Sequence, residues 1–154
     1  MDDRFYMEEC LRLAKEAASR GEVPVGAIVV RNGQIIGRGQ NRREADKNAL
    51  AHAEIEAIEA ACRFLGGWRL WECDLYVTLE PCPMCAGAII NSRIRRLVFG
   101  AHDPKAGACG SVVNLFDLPF NHKPETVAGL MAEECSKELT DFFADLRSKN
   151  KEEA

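Results

Sequence analysis

Residues 75–92 read LYVTLEPCPMCAGAIINS and join a strand pattern directly to the start of a helix. The apolar run 75–79 is typical of a buried strand. Pro83 predicts the start of a helix that runs to about Ser92, since proline suits the first helical turn. A buried strand that leads directly into a helix indicates an α/β domain.

Similar patterns on both sides extend this unit. Upstream, we predict helices over 4–20 and 51–64, strands over 23–30 and 34–40 joined at Asn32-Gly33, and a polar loop over 41–49. Downstream, we predict strands over 96–100 and 126–128, a short helix near 112–116 and a closing helix over 132–147. This order predicts a three-layer α/β/α domain with a five-stranded mixed sheet.

The last two predicted strands are separated by a long connection. About 25 residues lie between Gly100 and Val127, and a parallel return needs a crossover of about a dozen or more. We therefore expect these two strands to run parallel. We assign residues 1–148 to a single domain and expect a disordered charged tail over 149–154.

Composition excludes several classes of protein. The net charge of -4 over 154 residues argues against a broadly basic nucleic-acid binder, although a local basic face remains possible. No apolar run approaches the ~20 residues of a membrane span. Seven cysteines and a charged start at residues 1–4 do not fit a secreted disulfide framework, so we expect a cytoplasmic protein without membrane contact.

Three side chains have the chemistry of a metal site. Cys82 and Cys85 stand at the start of one predicted helix, and His52 stands at the start of another. Two thiolates and one imidazole suit Zn²⁺, which we expect at one ion per chain. Because His102 and His122 lack the spacing of a second pair, we expect three protein ligands and one position left for water.

Glu54 is the candidate proton carrier. Residues two apart on a helix point ~200° away from each other, so His52 and Glu54 share a site only if the metal lies off the helix end. There the carboxylate could take a proton from water and deliver it to a substrate nitrogen. Alternatives stay open, since a lone C-x-x-C can be redox or structural and a lone H-x-E can belong to a surface helix.

The combination H-x-E and P-C-x-x-C resembles the signature of the cytidine deaminase-like zinc deaminases. Within that superfamily the chain is similar to the bacterial tRNA-specific adenosine deaminases. The matching segments are 21–27 (GEVPVGA), 51–54 (AHAE), 75–82 (LYVTLEPC), 84–88 (MCAGA), 92–94 (SRI), 120–122 (FNH) and 141–143 (DFF). Residues 47–50 (KNAL) depart from the family, in which a proline and a threonine are expected, and this could alter how the loop meets RNA.

The resemblance implies a cytidine deaminase-like fold and zinc-dependent hydrolysis of adenosine to inosine at the wobble position of a tRNA anticodon loop. It also implies a homodimer, and the apolar segment 86–90 could serve as an interface. A deaminase of a free base, nucleoside or nucleotide (cytosine, guanine, cytidine or deoxycytidylate) is the alternative. A zinc-stabilised binding module without catalysis is a third class, which Glu54 argues against.

The resemblance also assigns substrate contacts. It places Val25, Asn41 and the backbone of Ala53 around the target nucleoside, and Asp103 and Lys105 beside neighbouring nucleotides. From the residues alone, Asn41 could equally be a turn asparagine, and the two charged residues a solvated loop.

Phe143 is the last substrate residue that the resemblance suggests, stacked on an unpaired base. Its helical phase with Leu139 and Leu146 instead favours core packing. Trp68 and Trp71 are interpreted as core or loop anchors.

Local charge offers modest support for RNA. Residues 31–47 and 91–105 each carry a net charge of +3. Basic loops beside the pocket would suit an RNA backbone, although charged runs usually mark only a solvated face.

Overall fold

The structure is a computed structural model that describes residues 2–153. The helices are α1 (Asp3–Ser19), α2 (Arg43–Asp46), α3 (Ala53–Leu65), α4 (Pro83–Ser92) and α5 (Ala132–Glu153). The strands are β1 (Gly26–Arg31), β2 (Gln34–Gln40), β3 (Cys73–Leu79), β4 (Arg96–Ala101) and β5 (Glu125–Ala128). A single 3₁₀ turn over Leu115–Asp117 lies where the sequence predicts a short helix.

The five strands form one mixed sheet in the order β2-β1-β3-β4-β5. β1 runs antiparallel to β2 and β3, whereas β3, β4 and β5 run parallel. The predicted fold class is therefore confirmed, including the parallel last pair. The connection from β4 to β5 supplies the long crossover that a parallel return requires.

Helices cover both faces of the sheet and produce two cores. On one face α3 and α4 pack against residues such as Val77 and Phe99. On the other face α1 and α5 pack against residues such as Ile28 and Val98. Alternate residues of each strand feed opposite cores, as strand geometry requires.

Two glycines of β2 bring α3 close to the sheet. A Cβ at Gly37 would overlap the Ala57 carbonyl oxygen, and one at Gly39 would overlap the carbonyl oxygen of Ala53. The helix axis can therefore approach the strand backbone at its first turn. This close packing places the N-terminus of α3, which His52 caps, beside the end of the sheet.

Several predicted bounds shift in the structure. β1 starts at Gly26 rather than at 23, because Pro24 has no N–H to give to a ladder. The predicted loop 41–49 contains the single turn of α2. The closing helix continues through the predicted tail to Glu153, since Lys, Glu and Arg favour helix, while residue 154 lies outside the described residues.

The two tryptophans do not belong to either core. Trp68 and Trp71 are about half exposed, and the guanidinium of Arg69 lies 4.4 Å from the centre of the Trp68 ring. The core interpretation is therefore wrong for both residues. None of the helices within residues 2–153 has the length and apolar character needed to cross a bilayer.

Candidate metal centre and active site

Two helix N-termini meet beside the end of β3. His52 is the N-cap of α3, and Cys82 is the N-cap of α4, whose first turn contains Cys85. The Nδ1 atom of His52 lies 3.6 Å from the Sγ atom of each cysteine. One candidate ligand atom from each of the three residues therefore lies within 4.8 Å of the others.

The spacing of these atoms suits a tetrahedral zinc ion. Zn–S distances of ~2.3 Å and Zn–N distances of ~2.0–2.1 Å at tetrahedral angles separate nitrogen from sulfur by ~3.6 Å. Within residues 2–153 no second group of three His, Cys, Asp or Glu side chains lies as close. His122 instead donates Nε2 to the carbonyl oxygen of Ile94 at 2.7 Å.

The electrostatics of the cluster favour a cation. The hydrogen bond from Cys85 lowers the pKa of the Cys82 thiol to about 4, against the effect of burial. The same bond and burial raise the pKa of Cys85. The contact with Cys82 raises the pKa of His52. A thiolate thus forms readily between the two helix ends, whose dipoles favour negative charge.

Glu54 lies in the first turn of α3 and faces the same point. His52 precedes the helix in extended backbone (φ -86°, ψ 152°), so its side chain does not follow the helical phase that would turn it away from Glu54. The Glu54 side chain is buried, and burial raises its pKa to about 7. A carboxyl group with that pKa can both accept and donate a proton near neutral pH.

These groups form part of the lining of a cavity of about 440 Å³. That volume lies within the range of small-molecule sites. The six residues that the family resemblance assigns to substrate all line it: Val25, Asn41, Ala53, Asp103, Lys105 and Phe143. Glu54, His52 and Cys82 line it as well.

One wall of the cavity is the turn that follows β2. The Asn41 amide donates to the Val23 carbonyl oxygen at 3.4 Å, and its Oδ1 accepts from the backbone N–H of Arg43 at 3.2 Å. Asn41 is therefore a turn asparagine that also lines the cavity. The turn role is thus confirmed, and contact of Asn41 with a nucleoside stays a prediction.

Another wall of the cavity is the loop that follows β4. Asp103 Oδ1 accepts the backbone N–H groups of Lys105 and Ala106, each at 3.1 Å. This turn directs residues 103–106 along the cavity. The charged loop is thus ordered by its own side chain.

Phe143 lies at the rim of this cavity. Its side chain is 41% exposed, and Leu146 on the same helix face is also exposed. The core interpretation drawn from helical phase is therefore wrong. The deep contacts of α5 occur near its start, where Cys135 is buried, and its later turns leave the core.

The two basic segments do not form one patch. At the start of β4, Arg95 and Arg96 pair with Asp74 at 2.8 and 3.4 Å, at the far end of the strand from the cavity. Arg42 pairs with Glu56 at 2.6 Å.

One residue from each basic segment supplies positive charge to the cavity without an ion pair to another described residue. Arg43 and Lys105 line the cavity, and neither forms an ion pair within residues 2–153.

Among the lining residues that sequence reasoning missed are two polar side chains that contact each other. Glu80 is 2% exposed, and His102 Nδ1 lies 3.3 Å from its Oε1 atom. Burial opposes ionisation of Glu80, but hydrogen bonds, foremost from Ser111, outweigh it and lower its pKa. The only signal in the sequence is the position of Glu80 between a buried strand and a metal-ligand motif.

Comparison with known proteins points to one chemistry. A family model of MafB19-like deaminases matches residues 1–147. The chain is 51% identical over 150 residues to the tRNA-specific adenosine deaminase of Bacillus subtilis, with 97% of this chain and 93% of that protein aligned.

Two solved structures that resemble this chain are also deaminases. One from studies of A-to-I editing by tRNA:A34 deaminases at the wobble position of transfer RNA is 48% identical, with a TM-score of 0.85 over 88% of this chain and 99% of that chain. The guanine deaminase of Nitrosomonas europaea has a TM-score of 0.83 at 25% identity, covering 93% of this chain and 85% of that chain.

Proposed function

The chain belongs to the MafB19-like deaminases and, among them, to the tRNA-specific adenosine deaminases, and from this we propose that it converts the wobble adenosine of a tRNA anticodon loop to inosine. The observation that carries the proposal is the meeting of Glu54 with the His52, Cys82 and Cys85 cluster at a cavity of nucleoside scale. Identities of 25% and 32% to two guanine deaminases, against 51% to a tRNA-specific enzyme, make a free-base substrate the weaker alternative.

We propose that His52, Cys82 and Cys85 hold one Zn²⁺ per chain. The two-sulfur, one-nitrogen donor set and the 3.6 Å separations support this choice of ion. Zinc bound there would supply a Lewis acid that activates water at neutral pH.

Glu54 is the proposed catalytic residue. Hydrolytic deamination adds water at C6 of adenine and releases the amino group as ammonia. A Glu54 carboxylate oxygen would accept the proton of the attacking water and pass it to the departing nitrogen. The burial of Glu54 keeps bulk water away from this transfer.

The remaining cavity residues are proposed to hold the RNA. Val25, Asn41 and the Ala53 backbone would bind the target nucleoside, and the exposed ring of Phe143 would stack on an unpaired base. Asp103 would contact the nucleotides beside the target, and Lys105 their phosphates. An anticodon loop already presents unpaired bases, so turning one outward costs less than extracting it from a duplex.

We also propose that the chain forms a homodimer and acts in the cytoplasm, where its tRNA substrate would be found. The interface suggested over 86–90 needs revision, because Ala86, Ile89 and Ile90 are buried in the core of the chain itself. Exposed apolar side chains lie in the neighbouring segment 112–120. That segment is the better candidate for the contact with a second copy.

The direct test is inosine formation. The zinc-loaded chain is incubated with an anticodon stem-loop that carries a wobble adenosine, and the digested nucleosides are measured by mass spectrometry. Glu54→Gln is the matched control, because it should keep about one zinc per chain and lose nearly all turnover, since the carboxylate moves protons and does not hold metal. Substantial turnover in Glu54→Gln would refute the proton-carrier role, and absence of inosine with the unaltered chain would refute the function.

A further inference from the structure

A buried carboxylate anchors the loop that forms one wall of the cavity. Glu80 Oε1 accepts the backbone N–H of Asp103 at 3.0 Å and the hydroxyl of Ser111. Its Oε2 accepts the backbone N–H groups of Cys109 and Ser111, each at 3.0 Å. Both ends of the loop over 102–111 are thus bound to one side chain that belongs to the strand-to-helix connection.

The loop over 102–111 packs tightly around this carboxylate. A Cβ at Gly107 would overlap the carboxylate atoms of Glu80, so a larger residue there would displace the carboxylate from its donors. Each Glu80 oxygen faces at least one backbone N–H donor. Glutamine at this position would therefore direct its own NH₂ group at a donor in either orientation of its amide.

Glu80 acts on the cavity indirectly. With 2% of its surface exposed, it is too deeply buried to bind RNA itself. The segment 103–106 that it fixes carries Asp103 and Lys105 along the cavity wall. Glu80 fixes the backbone of Asp103, and Asp103 Oδ1 in turn holds the backbone N–H of Lys105. The position of Glu80 therefore determines where the Lys105 ammonium can reach.

We propose that Glu80 is a positioning residue for RNA selection, which holds the loop over 102–111 in the conformation that lets Asp103 and Lys105 meet the nucleotides beside the target. This inference rests on the proposed function. It assigns Glu80 to binding of the flanking RNA rather than to the chemical step. The expected defect of a Glu80 variant therefore appears in KM for a structured RNA and only weakly in kcat.

The first test measures the loop without any substrate. Hydrogen exchange, followed by mass spectrometry on the zinc-loaded protein, compares the unaltered chain with Glu80→Gln and with Ser111→Ala. Amides in 102–111 should exchange faster in both variants, and more so in Glu80→Gln, while those in 41–48 keep their rates. Unchanged exchange in 102–111 would overturn the anchoring role.

The second test separates binding from chemistry. With an anticodon stem-loop, Glu80→Gln should raise KM by about tenfold, equivalent to about 1.4 kcal/mol, and change kcat by less than about threefold. As a single substitution, Lys105→Gln should raise KM. In the Glu80→Gln background it should raise KM little further, because the loop no longer holds the lysine in place. Glu125→Gln, an exposed substitution on β5, should leave both constants unchanged.

The outcomes discriminate between the two proposals. A fall in kcat at constant KM, or full additivity of Glu80→Gln and Lys105→Gln, would overturn the positioning role. If Glu80→Gln does not fold, Ser111→Ala carries the same two readouts, because it removes a single hydroxyl from an exposed residue. Failure of the unaltered chain to form inosine would refute the proposed function, whereas hydrogen exchange would still test the anchor.

Discussion

Neutralising the two basic residues at the cavity should lower the salt dependence of RNA binding by a calculable amount. Arg43 and Lys105 line the cavity without ion-pair partners within residues 2–153, so both are available to phosphates. Each phosphate contact with a single strand contributes about 0.7 to the slope of log affinity against log salt. Arg43→Gln combined with Lys105→Gln should therefore reduce the slope by about 1.4.

The effect is large enough to measure. Between about 50 and about 200 mM salt, the affinity of the unaltered chain should fall about sevenfold more than that of the double variant. Fluorescence anisotropy with a labelled anticodon stem-loop gives these affinities. The measurement is made in the Glu54→Gln background so that the RNA is not converted during titration.

Arg42→Gln is the matched control, with the same charge change in the same turn. Its guanidinium is held 2.6 Å from Glu56, so its removal should leave the slope nearly unchanged. A slope reduced as much by Arg42→Gln as by Arg43→Gln would refute the assignment of phosphate contacts from ion pairing. An unchanged slope in the double variant would refute electrostatic binding at this cavity altogether.

Three further substitutions test the metal, the pocket and the packing. Cys85→Ala should both lose zinc, measured by elemental analysis, and melt at a lower temperature, measured by calorimetry. Cys62→Ala, outside the cluster, should keep the metal, and a full zinc complement in Cys85→Ala would contradict the ligand assignment. Asn41→Ala removes two hydrogen bonds that hold the turn and the amide proposed to bind the nucleoside, so kcat/KM on the stem-loop should fall by about tenfold or more. An unchanged value would refute a role of Asn41 in substrate binding. Gly39→Ala should lower the free energy of unfolding by about 1–3 kcal/mol or more, because the added methyl group overlaps α3. Gly67→Ala, which has open space around it, should not. Equal free energies of unfolding for the two variants in urea denaturation would contradict the close packing.

Local signals in the sequence were sufficient for much of the fold. Pro83 and Ser92 bound α4 as predicted, because proline suits the first helical turn and the apolar pattern ends there. The parallel β4–β5 pair followed from the length of its connection. The bounds of α4 depend on short-range backbone preferences and the parallel pairing on the length of one connection, and both can be read directly from the sequence.

The sequence also predicted under what condition His52 and Glu54 could share one site. The metal had to lie off the end of a helix, and the extended backbone at His52 provides that geometry. The backbone angle itself was not readable from the sequence. It follows from the start of α3 at Ala53, which makes His52 the N-cap residue in extended backbone, whereas the predicted helix began at 51.

Long-range partnerships were beyond sequence reasoning. The arginines of 31–47 and 91–105 looked equivalent, but Arg96 pairs with Asp3 from the other end of the chain, and Arg42 with Glu56. Burial of Glu80 likewise depends on a loop that closes over it from residues 103–111. Local charge counts therefore overestimated the basic face and missed the side chain that shapes it.

Competition between substrates within a single reaction is the sharpest test of whether the wobble adenosine of a tRNA anticodon loop is the substrate. The zinc-loaded chain is given equal concentrations of an anticodon stem-loop with wobble adenosine, the same sequence in a full duplex, and free adenosine, cytidine and guanine. Mass spectrometry then follows the loss of each substrate and the formation of its product. We expect inosine in the stem-loop far ahead of every other product. Deamination of free guanine or cytidine at an equal rate would refute the proposed function and indicate a deaminase of free bases or nucleosides.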